Sequence, residues 1–98
     1  MEKHTPHCRL PVIRALIEAG KVKTTASALA DAASLNIDLE GMISIVKTLT
    51  TADFYKSMTT YNNNLVWQDV YRPRTLSGRL YVKLTVIDDV VIVSFKEL

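Results

Sequence analysis

One cysteine, Cys8, stands in the whole chain, which excludes an internal disulfide. No apolar run approaches the length of a membrane-crossing helix. The opening "MEKHTPHCRLPVIRALIEAG" has no small-residue cleavage site, and Arg14 and Glu18 break its apolar stretch, so it does not read as a signal peptide. These absences point to the cytoplasm. Low-complexity tracts, internal repeats and Gly/Ser linkers are also missing. A chain of 98 residues is therefore expected to form a single domain, 1–98, with one core.

Histidine is scarce, and both copies, His4 and His7, lie in the N-terminal tail. Acid–base chemistry elsewhere in the chain must use other groups. His4, His7 and Cys8 are three possible zinc ligands within five residues, but no fourth is in sight, and a loosely packed tail is the simpler reading. Cys8 has no evident base partner for a nucleophilic role. Asp53, Asp69, Asp88 and Asp89 form no Mg²⁺ pattern, and the last two read as turn formers. Neither a metal nor a cofactor is expected.

What is present divides by period. The first half reads helical: Pro11 and Gly20 bracket one helix, with Leu10, Ile13, Leu16 and Ile17 on a stripe. "TTASALADAASL" reads as a second helix. "NIDLEGMISIVKTL" reads as a third, with Asp38 as N-cap and Leu39, Met42, Ile43, Val46 and Leu49 turned inward. Thr50 and Asp53 resemble a capping box. After Tyr55 the period becomes two, and "LYVKLTVIDDVVIVSFKEL" is a strong strand signal. Helices followed by strands argue α+β, with N-terminal helices on one face of a C-terminal antiparallel sheet.

Register then places side chains. With Asp88-Asp89 as a hairpin loop, Ile87 opposes Val90, Leu84 opposes Val93 and Val82 opposes Phe95. Together with Leu80, Val86 and Val91 these make an apolar face. The other face pairs Lys83 with Ser94 and Tyr81 with Lys96. With Asn62-Asn63-Asn64 as a loop, Tyr61 opposes Leu65, Met58 opposes Gln68 and Lys56 opposes Val70. Tyr55, Tyr61, Leu65, Trp67 and Tyr71 then suit the core, and Trp67 points away from Gln68. Lys56, Met58, Gln68, Tyr81, Lys83 and Lys96 share the open side, with Arg72 and Arg74 flanking Pro73. Cations neutralise phosphates, and Tyr or Met offers a surface to an unstacked base. The net charge of +2 arises wholly after residue 54: the first part holds six Lys/Arg and six Asp/Glu, the second six and four. That tilts the second half toward a polyanion. By spacing alone, a merely solvated sheet surface explains the same pattern.

The stretches "DFYKSMTTY", "WQDVYRPR" and "YVKLTVIDDVVIVSFKE" resemble the motility quorum-sensing regulator toxin family (MqsR). The helical half and the length also fit. The resemblance implies a RelE-like fold and a type II toxin–antitoxin role. It implies ribosome-independent cleavage of single-stranded mRNA at GC-starting triplets such as GCU, with growth inhibition as the result. It assigns catalysis to Lys56, Gln68, Tyr81 and Lys96. Met58, Arg72, Arg74 and Lys83 are the expected RNA-binding residues. The implied partner is a cognate antitoxin (MqsA-like) that binds zinc and carries a helix-turn-helix, so DNA would be met only through it. Two other readings of the same face are a non-catalytic RNA-binding module and a regulator acting through a DNA-binding partner.

Overall fold

The computed structural model describes all 98 residues, Met1–Leu98. The elements run β1 (Glu2–Lys3), α1 (Leu10–Glu18), β2 (Val22–Thr24), α2 (Ala26–Ala33) and α3 (Leu39–Lys47). A 3-10 turn (Thr51–Asp53) follows. Then come β3 (Phe54–Thr59), β4 (Trp67–Tyr71), β5 (Arg74–Thr75), β6 (Gly78–Ile87) and β7 (Asp89–Glu97). This is an α+β fold of three helices and one sheet, ordered β1-β3-β4-β6-β7-β2, with β5 pairing to β6. No helix is long and apolar enough to cross a membrane.

The helices begin and end where their sequence punctuation lies. Pro11 occupies the first turn of α1, where its missing N–H costs nothing. Gly20 takes a φ of +76° just beyond the end of α1. The Thr25 hydroxyl accepts from Ala28 N–H at the start of α2, and the Asp38 carboxylate accepts from Gly41 N–H at the start of α3. Thr50 and Asp53 form the capping box. Arg14 on α1 donates to the Lys47 and Leu49 carbonyls at 3.1 and 2.7 Å, satisfying the C-terminal end of α3 and tying the two helices together.

All three helices contribute to one apolar cluster on one side of the sheet. Ile13, Ala28, Ala32, Met42 and Val46 meet Leu80, Val82, Leu84, Val90, Ile92 and Phe95 there, and all of them are buried. Leu39, expected inward, is exposed. It sits in the first turn of α3, away from the stripe through Met42 and Val46.

Several expectations are corrected. The sheet is not purely antiparallel, because β2 runs parallel to β7 (Val22 beside Val90, Thr24 beside Ile92). The N-terminal tail is not loose. Its first residues form β1 against β3, and the His7 and Cys8 N–H groups donate to the Asp69 carboxylate at 3.0 and 2.9 Å. That carboxylate also accepts from the Ser57 hydroxyl at 2.6 Å, and both Ser57 and Asp69 are buried. The segment from Lys3 to Arg9 thus covers the inner face of β3 and β4 around Ser57, Trp67 and Asp69.

In the last hairpin the expected register holds from Leu80 to Lys83, with Tyr81 opposite Lys96 and Lys83 opposite Ser94. A bulge then shifts it by one. Leu84 opposes Ile92 rather than Val93, and Ile87 opposes Asp89 rather than Val90. The turn is made by Asp88 alone, at φ +64°, a conformation that Asp tolerates better than most residues. Val90 and Ile92 therefore fill the core, and Val91, expected there, lies opposite Thr85 on the other face.

In the first hairpin the pairs Met58 with Gln68 and Lys56 with Val70 are as expected. The loop is longer, and the strands close at the bond from Thr60 N–H to the Val66 carbonyl. Tyr61 and Leu65 are consequently exposed rather than core. A bulge between Phe54 and Lys56 turns Phe54 toward Tyr71 (an edge-on pair, 5.4 Å between ring centroids) and leaves Tyr55 exposed. One inner residue is unsatisfied: the Tyr71 hydroxyl is buried without a hydrogen-bond partner, and that burial pushes its ionisation up.

Candidate nucleic-acid interface

The sheet face turned away from the helices is a grid set by strand register. Lys56 (β3), Val70 (β4), Lys83 (β6) and Ser94 (β7) form one row. Neighbouring strands lie about 4.8 Å apart, so Lys56 and Lys83 flank Val70 at the centre of this row. That centre is Val70, fully buried although on the open face, and the row's lysine stems are what can cover it. The adjacent row carries Tyr81 opposite Lys96. On the other side lies the pair Met58 and Gln68. All four expected catalytic residues, Lys56, Gln68, Tyr81 and Lys96, thus share one face, with the expected binders Met58 and Lys83 among them.

Tyr81 is the hub of the basic part. The Lys96 and Lys83 ammonium nitrogens lie 5.5 and 5.8 Å from its ring centroid, within cation–π range. The Arg72 guanidinium carbon lies over the Tyr55 ring, 3.8 Å from its centroid. The antiparallel register continues past Pro73, where Arg74 opposes Arg79. Arg74 is exposed at that far end, outside the Lys56–Tyr81–Lys96 group. Arg79 belongs to this basic margin and was not anticipated. It follows the period-two alternation of Tyr81 and Lys83, and that signal alone would have found it.

The electrostatics separate the lysines. Burial pushes the Lys83 ammonium below the ordinary lysine range, and the Lys96 and Lys56 charges push it further. Lys56 moves the other way. Its ammonium donates to the Glu2 carboxylate at 2.5 Å, which raises it, with smaller contributions from Tyr55 and Tyr81. Glu2 was not anticipated, because nothing in the sequence marks a two-residue strand that brings it beside Lys56.

A shallow depression of about 690 Å³ opens beside this group, lined by Met1, Met58, Tyr61, Asn64, Gln68 and Lys83 among others. A cation, amides and an aromatic ring around one hollow suit an extended polyanion with bases. A hollow of about 620 Å³ on the helical side, between Ile37, Gly41, Ile45 and Leu76, has no lysine, arginine or aromatic lining and offers a polyanion nothing. Trp67 points away from the site as expected, but its packing partner is the N-terminal segment. His7 stacks on it (5.4 Å between centroids) and the Lys3 ammonium lies 4.1 Å from its ring.

Lys83 sits under strain, because its charge is half-buried among like charges. Lys83→Met should therefore raise the melting temperature while weakening RNA binding. The slope of log affinity against log salt should fall by about one phosphate contact. For a folded-state pKa depressed below the unfolded value, the cost is present at neutral pH and fades as pH rises through that range. The stabilisation by Lys83→Met should therefore shrink in alkaline buffer. Thermal melts at two pH values and a salt titration check both halves, and a lower melting temperature at neutral pH would contradict the charge argument.

Residues 5–97 match the family model described as "Motility quorum-sensing regulator, toxin of MqsA". The chain is 56% identical over 97 residues to the mRNA interferase toxin MqsR of Escherichia coli (strain K12), covering 99% of each chain. The basic face built on "FYKSM", "WQDVY", "LYVK" and "SFKE" is thus that of a member of the motility quorum-sensing regulator toxin family, to which this chain belongs.

Proposed function

We propose that this protein is an endoribonuclease toxin that cleaves single-stranded mRNA in the cytoplasm without the ribosome, at GC-starting triplets such as GCU, and so stops growth. The observation that carries the reading is the gathering of Lys56, Gln68, Tyr81 and Lys96 on one open sheet face. The E. coli relative, named an mRNA interferase, supports it.

The chemistry starts from the substrate. The ribose 2′-oxygen attacks the adjacent phosphorus and loses its proton. The bond from phosphorus to the 5′-oxygen breaks, and that oxygen gains a proton, leaving a 2′,3′-cyclic phosphate and a 5′-hydroxyl. Such a step needs proton transfer and positive charge on the phosphorane oxygens. Lys56 and Lys96 supply the charge. One of these two lysines takes part in proton transfer, Tyr81 supplies or orients a proton at the phosphate, and Lys83 adds a phosphate contact beside them. Gln68 has only amide hydrogen bonds to offer and positions the ribose or phosphate. Met58 and Arg72 hold the neighbouring nucleotides by stacking and charge, and Arg74 extends the phosphate track. No step calls for a metal.

The family description calls its members toxins of MqsA; we propose such an antitoxin as the partner here, one that binds zinc, carries a helix-turn-helix, neutralises the toxin and makes any contact with DNA.

The test uses purified protein without antitoxin, end-labelled RNA containing GCU sites, and EDTA. Cuts at GC-starting triplets with cyclic phosphate ends are expected, and DNA of the same sequence should stay whole because it lacks the 2′-hydroxyl. Intact RNA from a folded sample would overturn the enzyme reading. Binding without cleavage would then leave an RNA-binding module, and no binding would leave a regulator acting through its partner.

A further inference from the structure

The proposed site lies on β3, β4, β6 and β7. The fold adds a fifth strand to it. β1 pairs antiparallel with β3, placing Glu2 opposite Met58, and from there the Glu2 carboxylate reaches the Lys56 ammonium. An exposed ion pair between two freely moving side chains has little worth. This one is built differently, because the backbone that carries Glu2 is fixed on both sides. Before it, the Met1 ammonium donates to the Thr59 hydroxyl and the Met1 carbonyl accepts from Thr59 N–H. After it, Lys3 lies over Trp67, and His7 and Cys8 are held by Asp69. The Lys56 side chain is only 21% exposed. Lys83, Lys96 and Arg72, on the same face, form no ion pair with a carboxylate.

We infer that Glu2 is a positioning residue of the active site: delivered by β1, it holds the Lys56 ammonium at a fixed place beside the Met58–Gln68 pair. This rests on the ribonuclease reading. The arrangement has two opposed consequences. A negative charge beside the lysine repels incoming phosphate and weakens ground-state binding. A lysine held in place meets the extra charge of the phosphorane without first being ordered. The groups around the Lys56 ammonium are Glu2 from β1, Tyr55 from β3, and Tyr81 and Lys83 from β6, so Glu2 is the carboxylate that sets its behaviour.

The experiment is steady-state cleavage of a short GCU-containing RNA by wild type, Glu2→Gln and Glu2→Asp. Glu2→Gln removes the charge and keeps the shape. It should lower KM about threefold, by removing repulsion at one phosphate, and lower kcat about tenfold, by freeing Lys56. A joint fall in KM and kcat is the signature of an interaction that costs binding and aids the reaction. Glu2→Asp should recover most of kcat. An unchanged kcat, or a KM that rises, overturns the proposal. A rise in KM with a lower melting temperature would show that Glu2 only docks β1. Wild-type protein that leaves RNA intact would instead sink the ribonuclease reading. The pair is then tested by NMR titration of the Lys56 ammonium, which should deprotonate at lower pH in Glu2→Gln. An identical titration in both proteins would overturn the assignment.

Discussion

Lys56→Ala should lower kcat for RNA cleavage by about 10²–10³-fold, the loss found when one preorganised donor to a developing oxyanion is removed. Lys56 lies in the central row of the open face, opposite buried Val70, and is fully charged beside Glu2. In the proposed mechanism its removal takes away charge that stabilises the phosphorane. It also leaves the Glu2 carboxylate facing the substrate without a partner, so the alanine variant should lose more than one phosphate contact would explain. Lys56→Met separates charge from packing. Methionine keeps an unbranched apolar stem at this position of the row, so the variant's melting temperature should match wild type while cleavage stays as low as in the alanine variant. Gel-based single-turnover kinetics with thermal melts decide the matter. If Lys56→Met cleaves like wild type, the lysine is a packing residue and the proposed role is wrong.

The second large effect falls on stability and lies on the other side of the sheet. Asp69→Ala should destabilise the fold by about 2–5 kcal/mol, because it strands the buried Ser57 hydroxyl and the His7 and Cys8 N–H groups together. For a domain of this size that corresponds to a fall in melting temperature of roughly 10–25 °C. Ser57→Ala removes a single bond and leaves Asp69 with two donors, so it should cost only about 1 kcal/mol. The contrast between the two variants tests whether Asp69 is the anchor of the N-terminal segment. The anchor also matters to the site: β1 sits at the edge of the sheet, and releasing His7 and Cys8 frees the strand that carries Glu2. Asp69→Ala should therefore reproduce the kinetic change of Glu2→Gln at temperatures where it is still folded. Equal melting temperatures for wild type and Asp69→Ala would refute the account.

Much of this architecture is written in local pattern. Helix limits follow from Pro11, Gly20, Thr25 and Asp38, because capping groups act on backbone donors within three or four residues of themselves. The open face follows from alternation along β3, β4, β6 and β7. A period of two leaves little choice of side once one face is apolar, so Lys56 with Gln68 and Tyr81 with Lys96 come out correctly. The apolar residues near the turns did not all come out correctly. One bulge at Tyr55 and another between Lys83 and Leu84 each shift the register by one, and the second exchanges which of Val90, Val91 and Ile92 face the core. An extra unpaired residue has no signature in hydrophobic alternation.

The sequence by itself determined the fold class, the helix boundaries and the face on which Lys56, Gln68, Tyr81 and Lys96 gather, since each depends on neighbours close along the chain. The tertiary structure alone decided the rest. It placed β2 parallel to β7, seated the N-terminal segment on Asp69 and Trp67, and brought Glu2 to Lys56 across 54 positions of sequence. Strands of two or three residues carry too few side chains to show a period, and their pairing is fixed by hydrogen bonds to partners far away in the chain.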